Sequence, residues 1–587
     1  MRSTLPATTV RRAAIAALAA CLVPALAHAQ AYQRVAPKEP PAAPPPVVTP
    51  PAEPAVSPAP NTVVLPALRG LVFLPAMTSL HPDGAPAGTT GIDVAALPLL
   101  ADPEFSGQLA PFIGQPLTFA ALQDITNRTT AWYRAHGRPF VAVTVPPQNI
   151  STGVVQVVVT EYRVGAVNIT GNQWFSSDLL RQESGLSPGQ TLTLPGVQDD
   201  LDWLNSNPFR TVNTLFQPGA DPGTTDVVLQ TQDRLPVRLY AGYDNAGVSS
   251  LGRGEWSVGG VWGNAFGLDQ ILSYQYTRGV SGRYDAHAIS WSAPLPWRDK
   301  LLVFGSYEQE TPNIGSTFSE NGNNGQASIR YVHTLPRMIF SATVALTHVL
   351  QIGYDFKTTN NNLEFGGTQV FNSQAEIDQF PVIYDATLAD PFGQTAFENQ
   401  LVLSPGGMTG ANNSAAFQAV VPGSAADYVY DRVGLTRTTI LPAGFSWSSR
   451  VIGQVSNRNL LYSEQLGAGG ADSVRGYFTD TALGSQGVLV SQELRTPPVS
   501  LAHVLHLGTP VSDQQQFGVF WDYGHVSQVQ SIPNAINTAD LSSVGIDLHA
   551  TVDRYIDIKF DLGWELRNVP GTDKRGAFGD IAVVVGF

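Results

Sequence analysis

One cysteine, Cys21, occurs in 587 residues, and it sits inside an N-terminal stretch that reads as a removable export signal. Residues 1–12 carry Arg2, Arg11 and Arg12 and no acid, residues 13–26 are Ala-rich and apolar, and Ala27-His28-Ala29 supplies the small residues of a cleavage site. Cleavage after Ala29 leaves a chain without a thiol, which excludes disulfides, thiolate catalysis and Cys-ligated metal. Leu18-Ala19-Ala20-Cys21 also fits a lipoprotein cleavage box, in which Cys21 would become the lipidated first residue. Basic residues are scarce. The 33 of them against 47 acids give a net charge of −14, and loss of the three signal arginines takes this to −17. Such a balance argues against a nucleic-acid partner. Long apolar runs are missing too, since no stretch after the signal reaches the ~18 residues of a spanning helix, and mean hydropathy is only −0.01. A β-barrel escapes both tests, because its strands average lipid-facing and lumen-facing residues.

What is present begins with proline. The 30–64 segment is a Pro/Ala-rich linker, expected to be an extended, polyproline-like spacer that cannot pack a core. Residues 65–162 and 163–233 then read as two successive mixed α/β modules, a periplasmic repeat. In the first, residues 68–74 are strand-like, and Thr118 is the expected N-cap of a helix with Leu122, Ile125, Thr129, Trp132 and Tyr133 on one face and Gly137 at its end. Strands at 139–145 and 154–160 follow, joined by a turn at Gly153. In the second, strands at 164–169, 211–217 and 226–232 enclose a helix near 176–182 and another carrying Val197, Leu201 and Leu204.

From 234 to 587 the texture changes to short alternating segments separated by Gly, Asn, Asp and Pro. In 557–564, Ile558, Phe560, Leu562 and Trp564 share one face, with Asp557, Lys559, Asp561 and Gly563 on the other. Segments 271–277, 516–522 and 544–550 alternate likewise. The last residues place Ile581, Val583, Val585 and Phe587 on one face, the amphipathic, aromatic finish of a bacterial outer-membrane barrel and its expected assembly signal. The span accommodates about 14 to 18 antiparallel transmembrane strands at roughly 10 residues each, with about 16 expected.

Two motifs carry the functional reading. Asp472-Ser473-Val474-Arg475-Gly476-Tyr477 lies in a long connection between strands, and Phe520-Trp521-Asp522 lies on a later strand. With these residues the chain resembles the two-partner secretion transporters, the hemolysin and filamentous-hemagglutinin secretion/activation proteins of the barrel superfamily that also contains the barrel-assembly insertase. Residues 143–148 with Tyr133, Gly137, Gly153 and Glu161 resemble the first transport-associated (POTRA) module of these exporters. Leu204-Asn205, Pro208, Pro218-Gly219, Gly223 and Asp226 resemble the end of the second. Residues 242–247 resemble their first barrel strand, and 353–366 (GYDFKTTNNNLEFG) a recurrent mid-barrel stretch.

The resemblance implies that Val474, Arg475, Gly476 and Tyr477 tip a loop folded into the barrel, and that Arg475 meets Asp522 of the Phe520/Asp522 motif on the inner wall. Strand parity agrees, for Phe517, Val519 and Trp521 share one face and leave Phe520 and Asp522 on the other. The pairing would need arginine, because only a guanidinium offers a planar fork to a carboxylate. Relatives often carry a pore-plugging N-terminal helix. Here the Pro-rich 33–61 cannot form one, and the remaining Gln30 to Arg34 is very short.

The implied protein exports an unfolded secreted partner from the periplasm through an outer-membrane pore; the alternative is an insertase of other barrels. Its further expected partners are the lipid bilayer and, during biogenesis, barrel-assembly machinery and periplasmic chaperones. No cofactor or metal is expected, and no enzyme: the chain has no H-E-x-x-H and, after signal cleavage, no cysteine for catalysis or metal, and His503 and His506 lack a third ligand.

Overall fold

The computed structural model describes residues 31–41, 48–49, 58–86, 88–313, 318–341, 343–365, 368–504, 506, 512–533, 535–569 and 576–587. The signal segment with Cys21, and most of the Pro/Ala linker, lie outside the described residues. The chain divides into a unit of residues 45–234 and a unit of residues 1–44 with 235–587.

The first unit holds two four-stranded sheets. One has the order Gly91–Asp93, Gly70–Leu74, Val154–Glu161, Val141–Thr144, parallel except for its last pair. Helix Phe119–Ala135 covers it. The Thr118 hydroxyl accepts the Ala121 N–H at 3.1 Å, and Gly137 takes φ +73° just past the helix end. Ile125, Trp132 and Tyr133 pack with Leu71, Phe73, Phe105, Val155, Val157 and Val159. Burial pushes the Tyr133 phenol well above its ordinary pKa. On the opposite face of Val154–Glu161 the buried Gln156 exchanges hydrogen bonds with Gln148, Gln156 N–H to Gln148 Oε1 at 2.8 Å and Gln148 Nε2 to Gln156 O at 2.7 Å. The second sheet has the order Val48–Thr49, Arg210–Pro218, Thr224–Asp233, Arg163–Thr170. Its helices Ser177–Glu183 and Leu194–Leu204 are capped by Ser176 and Thr193. Here the linker departs from a pure spacer, because Val48 and Thr49 pair in parallel with Thr214 and Leu215.

The second unit is a closed antiparallel barrel of 16 long strands. Its first strand, Val237–Asp244, pairs with Glu255–Ala265 on one side and with the last strand, Ala577–Gly586, on the other. Closure leaves no exposed edge, which a structure surrounded by lipid requires. The expected strands are all present and longer than the alternation alone delimits: 516–522 becomes Asp513–Ser527, and 544–550 becomes Thr538–Val552. Two neighbours, Val344–Phe365 and Thr368–Asp390, run for 22 and 23 residues.

Outward positions carry the apolar side chains, with Phe517, Val519 and Trp521 exposed on one strand and Ile546, Phe560, Trp564, Ile581 and Val585 on those that follow. Inward positions on the same strands hold Phe520, Asp522 and Asp547, and the preceding strand, Gln486–Arg495, adds Glu493, all buried. Against the lumenal wall lies the five-residue helix Ala31–Val35. Val35 is buried among Tyr284, Ala286 and Ala288, Tyr32 lies 4.5 Å from the Phe304 ring, and the Val35 carbonyl accepts from Gln275 Nε2 at 3.1 Å. The sequence leaves only Gln30 to Arg34 for a plug, a stretch too short to be a convincing one. A helix of five residues has no stability in water, so its order here comes from packing against the wall.

Because Val519 faces outward, Val519→Arg should destabilise the folded barrel by up to about 2–4 kcal/mol in a bilayer, according to its depth. Denaturant unfolding in lipid vesicles measures this, and a neutral result would mean that the face does not meet lipid.

Candidate functional site: an inward loop clamped to the wall

Between strands Ser446–Ser456 and Gln486–Arg495 the chain leaves the wall for residues 457–485. Within this loop Leu466–Ala468 and Ala482–Gly484 form a small hairpin. Leu466, Ala468, Val474, Tyr477 and Ala482 of the loop share one apolar cluster with Ile452, Leu489, Val526, Ala539 and Leu541 of the wall strands. Apolar contact therefore seats the loop inside the barrel. The turn before the motif is closed by Ser473, whose hydroxyl accepts the Gly469 N–H and donates to the Gly469 carbonyl, both at 2.9 Å.

The structure brings Arg475 and Asp522 together. Arg475 donates from Nε to Asp522 Oδ2 at 2.8 Å and from Nη2 to Asp522 Oδ1 at 3.0 Å, a two-pronged pair, and its backbone N–H adds a bond to Oδ2 at 3.1 Å. Asp522 is fully buried. Its Oδ1 also accepts the Ser491 hydroxyl at 2.6 Å. The remaining face of the guanidinium meets Glu493 Oε2 at 2.7 Å and Asp561 Oδ1 at 3.3 Å. Phe520 lies flat beneath it, 3.6 Å from Cζ to the ring centroid. One cation is thus held by three carboxylates from three wall strands, and a lysine could not satisfy that fork.

Val474 is buried in the apolar cluster, and the Tyr477 hydroxyl donates to the Arg567 carbonyl at 2.6 Å with the Ser542 carbonyl 2.9 Å away. Gly476 takes φ +87°, and a Cβ there would stand 2.8 Å from the carbonyl carbon of Gly563 on strand Ile556–Glu565. A Cβ on Gly563 would stand 2.7 Å from Gly476 Cα. Loop and wall touch backbone to backbone, so both positions require glycine.

The last strand stands apart from this cluster. Ile581, Val583 and Val585 pair with Phe560, Ile558 and Ile556 on one side, and Phe587 exchanges backbone hydrogen bonds with Leu239 of the first strand at 3.1 and 3.2 Å. These residues form the seam that closes the cylinder. Ser491, Glu493, Asp561 and Gly563 are the site residues that reading the sequence missed. Parity did put Asp561 and Gly563 on the polar face of their strand, which is the signal that marks them as wall residues. Among the described residues no group of three or more His, Cys, Asp or Glu side chains could hold a metal ion.

A closed barrel holding its own loop by an Arg-Gly-Tyr tip matches a known protein family. The family model for haemolysin secretion/activation protein ShlB/FhaC/HecB matches residues 223–549. The chain belongs to this family. A second model, the ShlB-type POTRA domain, matches residues 89–161. Among relatives, the chain is 24% identical over 440 residues to outer membrane transporter CdiB-2 of Burkholderia pseudomallei, covering 71% of each protein. It is 22% identical over 475 residues to the heme/hemopexin transporter protein HuxB of Haemophilus influenzae, covering 76% of this chain and 77% of that one. The solved structure of CdiB from Escherichia coli has the same fold, with a TM-score of 0.69, 19% identity and 92% of both chains covered. Members of the family are outer-membrane transporters of two-partner secretion that work with a secreted exoprotein and carry their POTRA modules in the periplasm. This protein is accordingly an outer-membrane β-barrel transporter of that system.

Removing Asp522 takes the two-pronged partner from a buried guanidinium and leaves Nε and Nη2 without a carboxylate, Glu493 and Asp561 answering only Nη1. Asp522→Ala should therefore destabilise the seated loop by about 3–5 kcal/mol, read as faster proteolysis within residues 457–485. Gly563→Ala should loosen the loop in the same assay by pushing Gly476 away. Unchanged cleavage in both would mean that the clamp does not hold the loop.

Proposed function

We propose that the Arg475 clamp is the resting lock of the export pore, and that a secreted partner passes through the barrel only when the loop rearranges. The observation that carries this reading is the two-pronged Arg475–Asp522 pair, because it holds the chain's own loop inside the lumen through a contact that must break for the loop to move. The helix Ala31–Val35, packed on the lumenal wall, occupies part of the same space and acts as a short plug.

The working division is a signal at 1–29, a tether at 30–64, POTRA modules at 65–162 and 163–233, and the barrel from 234 to 587. The modules capture extended segments of the unfolded partner by adding them to sheet edges, where main-chain hydrogen bonds give affinity without strict sequence demand. Strand Val141–Thr144 is one such edge. Folding of the cargo outside the cell supplies the drive, and the chain itself has no catalytic role. The seam strand with Ile581, Val583, Val585 and Phe587 serves barrel-assembly machinery as its recognition signal, with periplasmic chaperones delivering the chain.

Comparison of culture-supernatant and outer-membrane proteomes tests the reading in a strain lacking the protein, complemented with wild type or Arg475→Ala. Loss of one large secreted protein, restored by wild type and sharply reduced with Arg475→Ala at normal barrel levels, is the expected outcome. Depletion of many other outer-membrane barrels would mean an insertase and overturn it.

A further inference from the structure

We propose that the inward loop carries a second latch, built from Glu464 on the loop and Lys357 on the wall. It deepens the export reading above and rests on it. Glu464 lies near the start of the loop and is fully buried, and Lys357 is almost so. Lys357 Nζ donates to Glu464 Oε1 at 2.6 Å. The other carboxylate oxygen accepts the Tyr430 hydroxyl at 2.9 Å and Gln379 Nε2 at 3.1 Å. The Glu464 backbone carbonyl accepts Gln454 Nε2 at 3.1 Å and Arg432 Nη2 at 3.4 Å. One loop residue is thereby tied to strands Val344–Phe365, Thr368–Asp390, Asp427–Ile440 and Ser446–Ser456.

Those strands form the arc of wall before the loop in barrel order, whereas the partners of Arg475 lie on Gln486–Arg495, Asp513–Ser527 and Ile556–Glu565, the arc after it. The loop is fastened on both sides of its own point of departure. Freeing Arg475 alone leaves it held.

The chemistry favours a latch over simple glue. Desolvating two ions consumes most of their mutual attraction, so an apolar pair of similar size would hold the loop at least as firmly. What an ion pair adds is a soluble open state: once water reaches the lumen, both ions are rehydrated and the contact parts without stranding an apolar surface. The latch also joins neighbouring strand connections at the loop's own end of the barrel. Leu460 and Leu461, just before it, are buried against Phe417 and Val421 at helix Ser414–Val420, with Tyr428 and Tyr430 in the same cluster. Asn459 Nδ2 ties the loop to the carbonyls of Pro422 at 2.9 Å and Gln530 at 2.8 Å. Lys357 belongs to the 353–366 stretch, for which the Arg475 clamp supplies no role.

The test uses the full-length protein in planar lipid bilayers, comparing wild type with Glu464→Gln, Lys357→Met, the exchange Lys357→Glu with Glu464→Lys, and Glu464→Gln combined with Arg475→Ala. Heat-modifiable mobility on gels verifies a folded barrel in each. Each single substitution should raise the open fraction several-fold, the exchange should bring it back toward wild type, and the combination should exceed either change alone. Wild-type open fractions in folded single variants would overturn the latch. So would single variants that fail to fold while the exchange folds, since the pair would then serve barrel assembly. Conductance is read without cargo, so an error in the export reading would show separately, as a deletion strain with an unaltered secretome.

Discussion

A guanidinium can reside within a membrane-embedded cylinder only if its charge is answered on every side, and the arrangement around Arg475 depends on that requirement. Three wall strands each contribute a carboxylate, and a fourth hydrogen-bonding group, Ser491, orients the one that matters most. The Phe520 ring closes the remaining face. Those strands must hold a fixed register, because a slip of one residue would turn Asp522 toward lipid and Trp521 toward the pore. The charge pattern of the lumen and the apolar pattern of the outer surface therefore specify the same alignment.

Apolar contact and ionic contact divide the labour in the loop. Val474 and the hairpin residues Leu466, Ala468 and Ala482 remove hydrocarbon from water, which is favourable wherever such surface is found and does not dictate orientation. The forked pair at Arg475 and the glycine contact at Gly563 dictate orientation. Such a loop settles readily and in one pose, while its polar contacts can be exchanged for water.

The strand faces and the pairing of Arg475 with Asp522 were legible because side-chain alternation is a local property and the two motifs are distinctive. Glu493 and Ser491 were not, since a single polar residue on an inward face looks the same whether it meets a partner or bulk water. Residues 358–362, a run of Thr and Asn without apolar alternation, are strand, with Asn360 paired to Asn323 and Gln374. Beyond the lipid there is no apolar face to write into the sequence, so the alternation fades while the hydrogen-bonded ladder continues. The helix Ala31–Val35 was hidden for a related reason, its order coming from wall residues more than 200 positions away in sequence.

The two long neighbouring strands have a consequence for what lies outside the cell. At about 3.3 Å per residue a strand of this length reaches roughly 75 Å, whereas a tilted strand needs only about 10 residues to cross the hydrocarbon. Their connection lies on the same side of the barrel as residues 457–485, so the paired wall continues past the lipid on the side where the loop leaves it, with Ala375 and Ile377 of its inner face buried against Phe417 and Val421. That rim of the barrel is therefore bounded by hydrogen-bonded strand and not by free loops alone.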